Sequence, residues 1–307
     1  MKTHIVVVGS LNADLVQRVK RLPKPGETLF GDELQIIPGG KGANQACAAA
    51  LLGADVSMVG QVGSDPFGPL LRESLQRAGV DVSQVRTVEG ATGTAGIFVL
   101  PSGENVIILS AGANGKLAPE SVEPALASLT EKSILLTQLE VPLATTEAAL
   151  RKARAKGAVT ILDPAPAQEL SREVLEQVDY LTPNQTEAAI LLREKSEISS
   201  YEEAEAAGRR LFSAGARNAV LKLGAMGVVI VSQGGSQRVS GFRVEAIDTT
   251  AAGDIFNAGF AVALGEGKTV GEAARFANAA GAISVTRAGA QSSVPRREEV
   301  EAFLART

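Results

Sequence analysis

In the run Asp248–Gly259, DTTAAGDIFNAG, two aspartates stand six residues apart with only small or short side chains between them. Ile255, Phe256, Ala258, Phe260 and Ala261 follow in a helix-like pattern, which puts Asp254 in the first turn of a helix. Ala251, Ala252 and Gly253 let a ligand come close to the backbone at that turn. The first N–H groups of a helix have no intrahelical acceptor, and the macrodipole adds partial positive charge, so this is an anion site. A carboxylate beside it can take the proton of an attacking hydroxyl while the N–H groups stabilise a moving phosphoryl group. An isolated acid there would be read simply as a favourable helix N-terminal residue. Asp254 is not isolated.

Gly39-Gly40-Lys41-Gly42-Ala43-Asn44 also opens a helix after a turn-rich segment, and offers bare backbone, an ammonium and an amide. Asn12 and Asp14 follow the first apolar run in GSLNAD, and Glu140 ends another in LLTQLE. Short amides and acids at the carboxyl ends of strands suit neighbouring sugar hydroxyls; an Asx turn explains Asn12 and Asp14 equally well. Asn184 with Glu187 three residues later has the form of a capping box. The same pair could orient the water shell of a nucleotide-bound Mg²⁺, and the two roles are compatible. Lys222–Gly227, KLGAMG, separates two apolar runs as a hairpin turn would, or could hold phosphates or a nucleotide edge. Gly267-Lys268-Thr269 is a decoy: a P-loop needs glycine where Val262 stands, after a strand rather than a helix. The first strand is followed by GSLNAD, which is no dinucleotide fingerprint, so hydride transfer has little support.

These groups need a scaffold, and the composition supplies one. The 307 residues are 45% hydrophobic and only 4% aromatic with no Trp, so the core rests on Val, Ile, Leu and Ala. A net charge of −4 and few aromatics argue against nucleic acid or an anionic membrane as partner. Cys47 is the single cysteine and reads as a small residue on an Ala-rich helix, in keeping with a reducing, cytoplasmic setting. His4, the only histidine, has no metal-binding company. The IVVV run after MKTH is too short for a signal-peptide core.

Strands are expected at His4–Val8, Val56–Val59, Ile134–Leu139, Val159–Leu162, Tyr180–Thr182, Ala219–Leu223 and Val228–Val231. Helices are expected at Gly42–Leu52, Pro69–Ala78, Leu143–Lys156 and Tyr201–Ala214. That alternation predicts an α/β fold: a doubly wound, mostly parallel sheet flanked by helices. Asp14–Ile37 and the hairpin pattern Thr92–Ser110, turning at Pro101-Ser102-Gly103, interrupt it. They are expected to pair as a small β-sheet lid, formed by about 14–37 and 92–110, on a single domain spanning 1–307. Leu192–Ser200 reads as a charged surface loop.

The D-T-x-A-A-G-D-x-F-N-x-G run and GGKGANQA at Gly39–Ala46 resemble the two signatures of the ribokinase family of sugar and nucleoside kinases. SAGAN at Ser110–Asn114, PAPA at Pro164–Ala167 and GAQSSVP at Gly289–Pro295 extend the resemblance along essentially the whole chain. It implies ATP-dependent phosphorylation of D-ribose at the 5-hydroxyl, with Asp254 as base and the Ala251–Gly253 backbone as anion hole. Asn12, Asp14, Gly39, Gly40, Lys41, Gly42, Asn44 and Glu140 would line the sugar site. Asn184, Glu187, Lys222, Leu223, Gly224, Ala225, Met226, Gly227, Gly253 and Asn278 would serve ATP and Mg²⁺.

The resemblance also implies a K⁺ site, formed by Asp248 and Thr250 on one side and Ser284, Arg287, Gly289 and Ser293 on the other, and a homodimer joined through the lid. The sequence departs from the family at three positions: members often carry Thr where Lys222 stands, His where Asn278 stands and Asn where Asp163 stands. The rival readings are a related kinase for another sugar, a sugar acid or a nucleoside, and a sugar-binding regulator without catalysis.

Overall fold

The computed structural model describes residues 2–102, 104–194 and 198–307. In chain order the strands are β1 (His4–Val8), β2 (Asn12–Arg18), β3 (Gln35–Gly39), β4 (Asp55–Gly63), β5 (Asp81–Val88), β6 (Gly93–Val99), β7 (Asn105–Ser110), β8 (Ser133–Thr137), β9 (Val159–Leu162), β10 (Tyr180–Leu181), β11 (Asn218–Lys222), β12 (Gly227–Ser232) and β13 (Gly235–Ser240). The helices are α1 (Lys41–Leu51), α2 (Phe67–Arg77), α3 (Pro119–Val122), α4 (Leu143–Ala155), α5 (Arg172–Leu175), α6 (Gln185–Leu191), α7 (Tyr201–Ala214), α8 (Ala252–Gly265), α9 (Val270–Ser284) and α10 (Arg297–Leu304).

A nine-stranded sheet runs in the order β13-β12-β11-β10-β9-β8-β1-β4-β5. Its strands are parallel from β11 to β5, and β12 and β13 add an antiparallel edge. From β1 the chain winds outward to β4 and β5, then returns to β8 on the other side of β1 and continues to β11. The topological switch therefore lies between β1 and β8, and in such sheets ligands bind outside the carboxyl ends of the strands there. The period-2 alternation explains why the central strands read as continuous apolar runs. Ile5 and Val7 join one buried cluster with α1, α8 and α9, whereas Val6 and Val8 join the other with α4 and α7.

The shortage of aromatics suits the face carrying α8 and α9. Ala258, Ala261 and Ala263 of α8 are buried in one cluster with Ala273, Ala274, Ala277 and Ala280 of α9. A side chain added at Gly259 would start 3.2 Å from the Ala277 Cα, so only small residues permit this approach. Thr269 caps α9 with Glu272 in a capping box, so the Gly267-Lys268-Thr269 decoy is a helix start.

A second, four-stranded sheet, β3-β2-β6-β7, is built from the two interrupting segments. The expected hairpin is β6–β7; Pro101 and Ser102 stand at its turn, while Gly103 lies outside the described residues. Of the expected loop Leu192–Ser200, Lys195–Glu197 also lie outside them. Within β2 the register sets Asn12 against Gly39 of β3 and Gly93 of β6. The small sheet thus begins at the mouth of the large one.

Candidate active site

Asp254 sits at the start of α8, and Ala251, its N-cap, has φ +58° in the left-handed region. That conformation costs an Ala roughly 1–2 kcal/mol, and no side chain caps the helix. Among the described residues the N–H groups of Gly253 and Asp254 have no acceptor, whereas Ala252 N–H reaches the Thr249 carbonyl at 3.2 Å. The anion site expected from the sequence is therefore open.

Both carboxylate oxygens of Asp254 are held by α1. Asn44 Nδ2 donates to Oδ2 and Gln45 Nε2 to Oδ1, each at 3.0 Å. Gln45 Nε2 also donates at 3.0 Å to Asp163 Oδ2, and its Oε1 accepts from Gln138 Nε2 at 2.6 Å. Asp163 Oδ1 in turn accepts from Lys222 Nζ at 3.0 Å. Burial pushes the Asp254 carboxyl above the usual carboxylate range; Lys41 pulls it back, Asp163 pushes it up, and the two amides pull it back. Its affinity for a proton is raised in a setting where its orientation is fixed.

The glycines of GGKGAN stand where a side chain would meet neighbouring groups. A Cβ on Gly39 would stand 2.1 Å from Asp14 Oδ2, one on Gly40 2.7 Å from the Asn12 nitrogen, and one on Gly42 2.6 Å from the Ser10 nitrogen. Gly40 also has φ +90°. These three positions let the start of α1 close on the β1–β2 turn and leave room for its polar side chains.

Asn12 Oδ1 accepts from Asn114 Nδ2 at 2.7 Å, and Asn114 is fixed by the Leu11 backbone through two further bonds. Glu140 Oε2 accepts from Ser10 Oγ and from the Lys41 backbone N–H. Burial, Glu140 and Asp254, in that order, push the Asp14 carboxyl up to about 7. Burial works against the Lys41 ammonium, but Asp254, Asp163, Glu140 and Glu187 outweigh it and hold it above the usual lysine range.

Two cavities meet at the mouth of α8. One, of about 410 Å³, is lined by Lys41, Asp163, Asn184, Glu187 and Asp254. The other, of about 310 Å³ and largely apolar in its lining, runs past Ala225, Gly227, Phe242, Val244, Asn278 and Val285. Lys222, Gly224, Thr249, Ala252 and Gly253 border both. Asn184 and Glu187 do form the capping box of α6. Burial pushes the Glu187 carboxyl up and Lys222 pulls it back.

Leu223 and Met226 do not line either of these two cavities. The Leu223 side chain is buried in the core, and the Met226 carbonyl accepts from Gly241 N–H and Tyr201 Oη. Asn278 borders the second cavity, with its amide donating to the Val239 and Ser240 carbonyls.

Asp248 stands apart from the reacting groups. Its Oδ1 accepts from Thr250 N–H at 2.9 Å and its Oδ2 from Gly289 N–H at 2.8 Å. Ser284 and Ser293 hydroxyls donate to the carbonyls of Gly281 and Ala290. Arg287 turns its guanidinium to Glu299. His4 faces Ser133 at 3.4 Å, away from these groups. Burial pushes the Cys47 thiol up to about 12, so it stays protonated and inert.

The residues missed from the sequence are Gln45, Gln138, Asn114 and Asp163. Gln45 and Asn114 lie inside GGKGANQA and SAGAN, so their motifs were visible while their partners were not.

Residues 2–297 match the pfkB family of carbohydrate kinases, and the chain belongs to that family. It is 46% identical to the ribokinase of Haemophilus influenzae over 305 residues, 99% of each chain. It is 36% identical to the deoxyribokinase of Salmonella typhimurium, over 98% of each chain. The structure of Arabidopsis thaliana ribokinase complexed with ribose and ATP matches with a TM-score of 0.91 at 35% identity, over 99% of both chains.

Asp14 generates a stability prediction. Its folded pKa of about 7 exceeds the ordinary 3.8, so the folded state binds the extra proton between these values. Stability from this group is present below about pH 4 and is lost as pH rises through 7. Asp14→Asn should therefore melt roughly 2–6 °C above wild type at pH 8, with the gap closing toward pH 4. Equal melting temperatures at pH 8 would contradict it.

Proposed function

We propose that the protein transfers the γ-phosphoryl group of ATP to the 5-hydroxyl of D-ribose, giving ribose 5-phosphate and ADP. One observation carries this reading: a buried, amide-held carboxylate lies beside open helix N–H groups, where two cavities meet. Asp254 takes the hydroxyl proton, and of the expected Ala251–Gly253 anion hole the open Gly253 N–H, with that of Asp254, receives the phosphoryl charge. On the sugar side Asn12, Asp14 and Glu140 accept from or donate to ring hydroxyls, with Asn44 and the Lys41 ammonium beside them. Gly39, Gly40 and Gly42 make the room. On the nucleotide side the Lys222–Gly227 turn and Asn278 border the base and phosphates.

Among the described residues no three or more His, Cys, Asp or Glu side chains gather as a direct metal-binding group. Asn184 and Glu187, hard oxygen donors in the acidic cavity, suit the water shell of Mg²⁺ carried by ATP phosphates. When bound, that ion would neutralise phosphate charge. The small sheet acts as a lid that excludes water, on a single-domain chain. A cytoplasmic setting fits the lone reduced cysteine and the use of ATP.

A screen with ATP and Mg²⁺ over pentoses including 2-deoxyribose, hexoses, sugar acids and nucleosides tests the substrate. D-Ribose should give the highest kcat/KM, and a missing hydroxyl should cost about 1–3 kcal/mol. Preference for a nucleoside or sugar acid would replace the acceptor and leave the kinase chemistry standing. In the same assay Asp254→Asn should lower kcat by about 10²–10⁴ and leave the fold intact. Near-normal turnover would remove Asp254 from its role.

The second part of the reading is activation by K⁺. Asp248 ties the loop before α8 to the Ser284–Ser293 segment, where carbonyls and hydroxyls of Thr250, Ser284, Arg287, Gly289 and Ser293 offer oxygens. A monovalent cation there would order the Thr249–Gly253 turn without touching substrate. Rates should be higher in KCl and CsCl than in NaCl at matched ionic strength, with the difference lost in Asp248→Ala. Equal rates in all three salts would end the idea.

Third, the lid makes a homodimer. Ile36, Ile107, Ile108 and Leu109 on the small sheet are 47–63% exposed, with exposed Leu34 just before β3, an apolar surface that association would cover. Sedimentation should give a dimer for wild type and a monomer for Ile108→Lys. A monomeric wild type at micromolar concentration would exclude it.

A further inference from the structure

Lys222 and Asp163 form the most enclosed ion pair among the described residues, with side chains 11% and 2% exposed. Lys222 ends β11, its N–H donating to the Pro183 carbonyl at 2.8 Å, and Asp163 follows β9. The pair thus spans the carboxyl edge of the sheet, with β10 between.

Its placement is asymmetric. Asp163 is fully engaged: one oxygen holds Lys222 and the other holds Gln45, which also grips Asp254. Lys222 is not. An ammonium has three donors, and one of them meets Asp163. Its Nζ lies 3.4 Å from where a Gly253 Cβ would stand, and the residue borders both cavities. The positive group therefore stands at the lip of the open α8 N-terminus, on the border that the two cavities share. Lys41 lines only the larger of the two cavities, and its backbone N–H donates to Glu140.

We infer that Lys222 is a catalytic residue that contacts the transferring phosphoryl group, and that Asp163 is the positioning residue that fixes both this cation and, through Gln45, the base. This rests on the kinase reading above. In the step, the bond from the γ-phosphorus to the β–γ bridging oxygen breaks and its electron pair stays on ADP. The acceptor oxygen forms the new P–O bond, and its proton goes to Asp254. Lys222 keeps its protons and offsets negative charge on the moving group.

A buried pair that only held the fold together could be replaced on both sides by neutral groups without loss. The test is therefore a cycle of Lys222→Met, Asp163→Asn and the double variant, read by kcat at saturating substrates, acceptor KM and melting temperature. Lys222→Met should lower kcat about 100-fold with acceptor KM within about twofold. Asp163→Asn should lower both kcat, by about tenfold, and melting temperature. The double variant should regain thermal stability while its kcat stays as low as that of Lys222→Met. A double variant with wild-type kcat, or a Lys222→Met variant with normal kcat, overturns the inference.

Calorimetry separates this outcome from failure of the proposed function. In Lys222→Met, ATP should lose affinity about tenfold more than ADP, whichever acceptor is used. Equal losses for the two nucleotides overturn the γ-phosphoryl contact even if no sugar is turned over by the wild type.

Discussion

The start of α8 is tied to the start of α1 by two amide–carboxylate hydrogen bonds, from Asn44 and Gln45 to Asp254, each 3.0 Å. An ionised carboxylate enclosed as Asp254 is would be costly without partners. The amides lower that cost and fix the carboxylate plane. The arrangement requires two helix N-termini to converge above the carboxyl edge of one sheet. Close packing at Gly42 and the Ala-rich contact of α8 with α9 provide this, since bulkier side chains would hold the helices apart. The aromatic-poor composition and the position of Asp254 thus share one geometric origin.

Charge balance around that carboxylate explains the rest of the cleft. Asp14, Glu140, Asp163, Asp254 and Glu187 supply five acids, against Lys41 and Lys222. Such a surplus would repel a nucleotide if it were evenly spread. It is not: Asp14, Glu140 and Asp254 act on one another, while Lys222 and the open N–H groups border the largely apolar cavity. The cost appears at Asp14, whose carboxyl is pushed up to about 7. Binding sites are commonly destabilising in this way, and a ligand supplying hydroxyl donors relieves the strain.

Most of the scaffold was legible because its elements have strong periodicity. Val159–Leu162 and Tyr201–Ala214 have the bounds the pattern predicts, and the small second sheet is built from the two segments that break the alternation. β5 and β13 were missed because each carries exposed polar residues and lies at a sheet edge, where pattern is weakest. In the site, Asp254 and the GGKGAN start were visible because glycine and small residues mark close approach. What those glycines approach was not visible. They serve the β1–β2 turn, and only the folded geometry sets Gly39 against Asp14.

Gln45 and Asp163 were illegible for a different reason, since their partners lie 118 and 59 residues away and no local rule pairs them. A weaker signal did exist. Relative to the family pattern, Lys222 adds a positive charge and Asp163 a negative one, at the ends of two different strands. Two opposite departures at the same edge of one sheet are what a buried pair requires, because either alone would leave an uncompensated charge in the cleft. Read singly, the departure at Lys222 bears on the nucleotide side and the one at Asp163 implies nothing. Read together, they place Lys222 and Asp163 within 3.0 Å, in a sheet whose strand order brings β9 and β11 to either side of β10.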